Sequence, residues 1–209
     1  MAGGARLPRS FFARPSVEVA PELLGRFLVR TTPRGSLLAR IVETEAYEEG
    51  DPASHSYRGR TSRNEVMFGP AGYLYVYFTY GMHFCMNVVT GREGEGSAVL
   101  LRAAEPLEGL DAMARRRGTE DPRLLCSGPA RLCQAFGVGR RENGLDVVRG
   151  RDVLLLAGEP APSSRMRVTS RVGVRNGVER SWRFLVEGDP FASHGRPSRD
   201  RGVRGSRGS

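Results

Sequence analysis

The sequence predicts an α+β fold: a single domain with a mixed, mostly antiparallel, curved β-sheet, flanking helices and a protruding β-hairpin. Three observations carry this. A chain of 209 residues exceeds the modal domain size without reaching the length at which a single core usually divides. Period-two alternation recurs in several short runs, as half-buried strands require, and helical spacing is confined to a few segments. No internal repeat is visible.

Taken in order, residues 1–9 read as a flexible leader; Arg6, Arg9 and Arg14 with no acid before Glu18 leave a mitochondrial-type transit peptide as the alternative. Residues 20–25 read as a helical turn with a proline at its start and a glycine at its end, and residues 26–30 as a strand. Residues 37–47 alternate, which puts Ala39, Ile41, Glu43, Glu45 and Tyr47 on one face and Val42, Thr44 and Ala46 on the other. The polar, glycine-rich stretch 48–64 is a loop. Residues 73–78 and 84–89 form a hairpin turning at Tyr80-Gly81, and residues 99–102 are a buried strand. Residues 107–117 and 127–136 have helical spacing, the second with Ser127 as N-cap and Pro129 in the first turn. Residues 153–156, 166–173 and 182–187 are later strands. The folded domain thus spans 10–192. Residues 193–209, with five arginines, one aspartate and little else but Gly, Ser and Pro, read as a disordered basic tail.

Composition narrows the function. With 39% hydrophobic and 26% charged residues the chain is globular, and no apolar run approaches the roughly 18 residues that span a bilayer. A soluble, cytoplasmic monomer is expected. Cys85, Cys126 and Cys133 are an odd set without a CxxC pair, which fits a reducing compartment and no zinc site. All 32 basic side chains are arginine, so no lysine can form a Schiff base or serve a Walker motif. A net charge of +9 and a pI near 10.4 point to a polyanionic partner.

One window concentrates chemistry. All six tyrosines lie between Tyr47 and Tyr80, beside Glu43, Glu45, Glu48, Glu49, Asp51 and His55. Carboxylates at i and i+2 on one strand face have Cα atoms about 6.8 Å apart, so Glu43 and Glu45 could share a pocket and differ in protonation. Exposed glutamates on a half-buried strand are the bland alternative. The aromatic faces add a place for a flat ring to stack, and a nucleobase in DNA or RNA satisfies both the rings and the charge.

The ordered segments Val42-Glu43-Thr44-Glu45-Ala46-Tyr47, His55-Ser56, Arg63-Asn64, Tyr75-Val76-Tyr77, Tyr80-Gly81-Met82, Cys85-Met86-Asn87, Leu100-Leu101-Arg102-Ala103 and Arg171-Val172-Gly173-Val174 resemble the alkyladenine DNA glycosylase family. These are the mammalian-type 3-methyladenine DNA glycosylases that bacteria also have. The likeness runs from about Phe12 to Ser193.

The resemblance implies a monofunctional enzyme of base excision repair that flips alkylated or deaminated purines out of duplex DNA, in the cytoplasm and on the nucleoid. It implies that Glu45 activates the attacking water, which Arg102 and the backbone near Val172 help to hold. Tyr47, His55 and Tyr77 would line the base pocket, and Asn87 would crowd the exocyclic amine of guanine. The hairpin would intercalate, with Tyr80 filling the gap left by the extruded nucleotide and Met82 assisting. Arg60 and Arg63 would meet the DNA backbone, although the segment after His55 is one residue shorter than in the mammalian members and carries Tyr57. No metal and no cofactor is implied. Tyr73 and Tyr75 are expected to be packing residues. Two other readings compete: a noncatalytic nucleic-acid binding module, and a metal-dependent nuclease using Glu43, Glu45, Asp51 and His55.

Overall fold

A computed structural model describes residues 4–79 and 81–199. Helices α1 (Arg9–Phe12) and α2 (Ser16–Glu22) lead into strands β1 (Phe27–Thr32) and β2 (Gly35–Tyr47). The hairpin β3 (Leu74–Thr79) and β4 (His83–Val89) follows, then β5 (Ala98–Glu108). Helices α3 (Leu110–Arg117), α4 (Pro122–Leu125) and α5 (Pro129–Phe136) precede β6 (Val153–Leu156), β7 (Met166–Thr169) and β8 (Arg183–Val186).

The sheet runs β3-β4-β5-β2-β1-β6, and β8 joins it through β2 and carries β7. Every pairing between these strands is antiparallel, so the parallel component expected for a mixed sheet is not found among them. β2 is the spine. On one side it pairs with β5 over most of its length; on the other its first half pairs with β1 and Glu43 to Glu45 pair with β8. The sheet therefore splits and curls at Glu43. α2 and α5 close it over a core that includes Leu23, Leu28, Ile41, Met86, Leu101 and Phe136.

The ladder between β2 and β5 is irregular at the same place. Ile41 faces Ala104, Glu43 faces Ala103 and Thr44 faces Leu101, which leaves Val42 and Arg102 each as an extra residue in its strand. Such bulges bend a strand and re-aim side chains. Here the bulge turns Arg102 toward the glutamates of β2.

Several element boundaries differ from the expectation. The helix expected at residues 20–25 is α2, which begins at Ser16, because Val19, Ala20, Leu23 and Leu24 all bury against the sheet. Leu107 and Glu108 extend β5, and Gly109, with φ of 78°, turns the chain into α3. Gly128 rather than Ser127 occupies the N-cap of α5, because Ser127 bridges back to Ala103. β7 stops at Thr169, where Arg171 turns inward.

The expected leader and tail both contain bonded backbone. Leu7 donates to Leu155, and the carbonyl of Ala5 accepts from Ala157. Ser193 and Ser198 bond to the body of the protein at Glu43 and Arg171.

Candidate active site

Glu45 is fully buried, and three donors reach it. The backbone N–H of Val172 lies 2.7 Å from Oε1, while the Tyr47 hydroxyl and Arg102 Nη1 lie 2.9 and 3.2 Å from Oε2. A carboxylate has about four lone-pair directions, so one more donor, such as a water, can be accepted.

Glu43 is equally buried but occupied differently. Its Oε1 accepts from Arg102 Nε at 2.8 Å, Arg183 Nε at 2.7 Å and the Ser193 hydroxyl at 2.9 Å; its Oε2 accepts from the Ser193 backbone at 2.6 Å. Burial opposes ionisation of Glu43, but the charges of Arg102 and Arg183 and the Ser193 N–H outweigh it and hold the carboxyl below its usual range. Both glutamates therefore meet Arg102, as strand parity predicts, and their roles separate. The four side chains form a charge-balanced cluster, the condition under which buried ions are tolerable.

Tyr47 connects this cluster to a cavity of about 70 Å³ lined by Tyr47, Ala53, His55, Met67, Tyr75, Tyr77 and Asn87. All four side chains expected around a base are among the seven. Tyr77 and His55 meet edge to face at 4.5 Å, and Tyr75 and Tyr77 lie 5.5 Å apart. Burial, followed by the Glu45 charge at Tyr47 and by Cys85 beside Tyr77, pushes both phenols well above their usual range. They are neutral stacking surfaces at any physiological pH. Loss of water around the His55 ring, with the Arg63 charge nearby, lowers the His55 pKa, so its neutral form is favoured.

Tyr75 packs as expected, buried with Met67, Phe68, Val89 and Ala98, and makes a further contact. Its hydroxyl lies 2.9 Å from His55 Nδ1, which fixes the imidazole, and its ring forms part of the cavity wall. The signal was available, since Tyr75 and Tyr77 share a strand face. Burial raises the Tyr75 pKa to about 12. Asn87 donates to the Tyr75 carbonyl at 3.1 Å and is thereby held in place. Tyr73 packs as expected, its ring facing the Arg9 guanidinium at 5.3 Å.

The loop after Tyr47 is tied down by two buried groups. Asn64 donates to the carbonyls of His55 and Gly59 and accepts from Thr61. Arg171, with no exposed surface, pairs with Asp51, donates to the Ala46 carbonyl at 3.0 Å, and places its guanidinium 4.6 Å from the Tyr47 ring. At Gly177, with φ of 64°, an added Cβ would fall 2.8 Å from Asp51 Oδ1. Thus Arg171 braces Tyr47 from behind and sets the position of Val172. Neither Arg171 nor Arg183 stands out by composition among so many arginines; what distinguishes them is burial.

Asp51 and Glu43 are each engaged by arginine, and no group of three or more His, Cys, Asp and Glu side chains placed to hold a metal occurs among the described residues. At the hairpin, the Phe78 and Phe84 rings meet at a tilt of 49° with centroids 4.9 Å apart, and Met82 is 68% exposed. Tyr80, the expected wedge, lies outside the described residues. Arg63 is exposed and donates to the Phe78 carbonyl, while Arg60 donates to the Phe68 carbonyl and lies over the Phe68 ring.

The cavity is thus walled by neutral aromatic rings, one of which hydrogen-bonds to a buried carboxylate. The family model described as Methylpurine-DNA glycosylase matches residues 10–190. Relatives named "Putative 3-methyladenine DNA glycosylase" include one from Streptomyces avermitilis, 52% identical over 90% of this chain and 90% of its own length. Others come from Carboxydothermus hydrogenoformans, 47% identical over 90% of this chain and 98% of its own, and Methanoculleus marisnigri, 48% identical over the same shares. The chain belongs to the methylpurine-DNA glycosylase family, and it is a DNA glycosylase, an enzyme of DNA repair. Among the described residues no helix is long and apolar enough to cross a membrane.

Proposed function

We propose that this DNA-3-methyladenine glycosylase acts on damaged purines in duplex DNA, as a monomer, by flipping the nucleotide into the slot beside Tyr47 and hydrolysing its glycosidic bond with a water activated by Glu45. The observation that carries this is the 2.9 Å hydrogen bond from the Tyr47 hydroxyl to Glu45, which joins the ring-binding wall to the buried carboxylate. Cleavage develops positive charge on the sugar. A fixed carboxylate beside it stabilises that charge and accepts the proton of the attacking water. Arg102 keeps Glu45 in place.

Selectivity follows from the walls. N-alkylated purines such as 3-methyladenine and 7-methylguanine carry positive charge, so stacking on Tyr47 and Tyr77 gains a cation–π contribution that ordinary bases lack. Hypoxanthine and ethenoadenine are neutral and depend on shape and on hydrogen bonding at His55. Asn87, immobilised by Tyr75, narrows the space where the exocyclic amine of guanine would lie. With no lysine in the chain, the product is an intact strand with an abasic site.

The test is Glu45→Gln in single-turnover excision from a duplex bearing one hypoxanthine, with alkali used to cut abasic sites. The amide keeps the shape but cannot take the proton, so excision should fall by at least roughly a hundred-fold, within the range expected for losing a general base, while lesion binding persists. Wild-type excision by this variant would sink the mechanism.

A further inference from the structure

Residues 193–198 lie beyond the 10–190 span that matches the family model, and they touch two of the three groups that hydrogen-bond to Glu45, Arg102 and Val172. Ser193 gives Glu43 both its backbone N–H, at 2.6 Å, and its hydroxyl, at 2.9 Å. The same hydroxyl accepts from Arg102 Nη2 at 3.4 Å. Two residues on, an added Cβ at Gly195 would stand 2.7 Å from Val172 Cγ1 and 3.2 Å from Arg102 Nη2. Pro197 bridges to Val172, and Ser198 donates to the Arg171 carbonyl at 2.8 Å while its own carbonyl accepts from the Ser170 hydroxyl.

The segment thus grips Arg102 through Glu43 and Ser193, and grips the Val172 backbone through Arg171 and Pro197, with Gly195 close against the Val172 side chain. Those two groups, with Tyr47, are the ones that hydrogen-bond to Glu45. We propose that residues 193–198 are a positioning strap for the reaction, with Ser193 and Gly195 as its specific contacts: the strap sets the orientation of Glu45 without touching substrate. This rests on Glu45 as the water-activating group. Because the strap holds geometry rather than DNA, its loss should slow the chemical step and spare lesion binding. A catalytic group displaced by about 1 Å can cost roughly a hundred-fold in rate, and removing one hydroxyl from a network that keeps the backbone contact should cost less.

The experiment compares Ser193→Ala, Ser193→Thr, Gly195→Ala and Glu45→Gln in the full chain. Single-turnover excision, lesion-duplex affinity and thermal midpoint are measured for each. Ser193→Ala should excise about ten-fold more slowly with affinity unchanged, and Gly195→Ala more slowly still, since its Cβ displaces Val172 or Arg102. Ser193→Thr, which restores a hydroxyl, should recover most of the rate. Wild-type excision by both Ser193→Ala and Gly195→Ala, with Glu45→Gln inactive, would overturn the strap and leave the mechanism standing; activity in Glu45→Gln would overturn the mechanism itself. A loss of affinity matching the loss of rate, or no rescue by threonine, would also overturn the strap.

Discussion

Glu43 and Glu45 meet the same guanidinium, yet one is surrounded by four donors from protein groups and the other keeps room for one more partner. Alternation along β2 is enough to put both on one face. It cannot tell them apart, because their difference lies in Arg183 and Ser193, more than a hundred residues away in sequence. Glu43 is the structural member. Glu43→Gln leaves Arg102 and Arg183 buried beside a neutral amide, and removing one partner of such a cluster costs about 3 to 5 kcal/mol. Denaturant melts at neutral pH should show a loss of this order, and a loss below about 1 kcal/mol would show that Arg102 and Arg183 find other acceptors. The sign with pH follows: with its folded pKa depressed, Glu43 contributes stability that is fully present above its unfolded value near 4.3 and is lost as pH falls through the folded value. The wild type should therefore lose stability below about pH 4 more steeply than Glu43→Gln.

At the scale of elements, the hairpin was legible and the strand of Arg102 only half so. Tyr75 and Tyr77 share a face because strands repeat every two residues, and both rings wall the cavity; Tyr80 has the other parity. The bulge that aims Arg102 leaves no mark in composition, since no glycine or proline interrupts residues 98–105. Beyond Tyr77 the hairpin carries Phe78, whose ring meets that of Phe84 at a tilt, and the exposed Met82, so apolar side chains lie toward its end. An apolar wedge in the minor groove offsets part of the few kcal/mol lost on unstacking a base. Tyr80→Ser should weaken binding to a duplex in which the damaged base is well paired more than to one in which it is mismatched, because the mismatched base costs less to extrude. Equal weakening on the two duplexes, read from titrations at one salt concentration, would mean that Tyr80 only packs the hairpin and leave Met82 as the candidate wedge.

Across the whole molecule, charge and composition describe the partner better than they describe the architecture. A net charge of +9 fits a DNA-binding enzyme, but the Gly, Ser and Pro content of residues 193–209 concealed that Ser193, Pro197 and Ser198 bond to Glu43, Val172 and Arg171. A few backbone bonds to a preformed site can order a segment too polar to fold alone, and low hydrophobicity gives no warning of them. The basic tail accordingly divides in function. Residues 193–198 belong to the site, whereas Arg201, Arg204 and Arg207 further on are the candidates for phosphate contacts. Removing residues 200–209 should leave single-turnover excision at saturating enzyme unchanged while weakening nonspecific binding. Each phosphate contact contributes about 0.9 to the slope of log affinity against log salt, so losing three arginine contacts should reduce the slope by roughly 2 to 3 units. An unchanged slope would assign the electrostatic footprint to the folded body; a fall in excision would mean that the strap needs the residues that follow it.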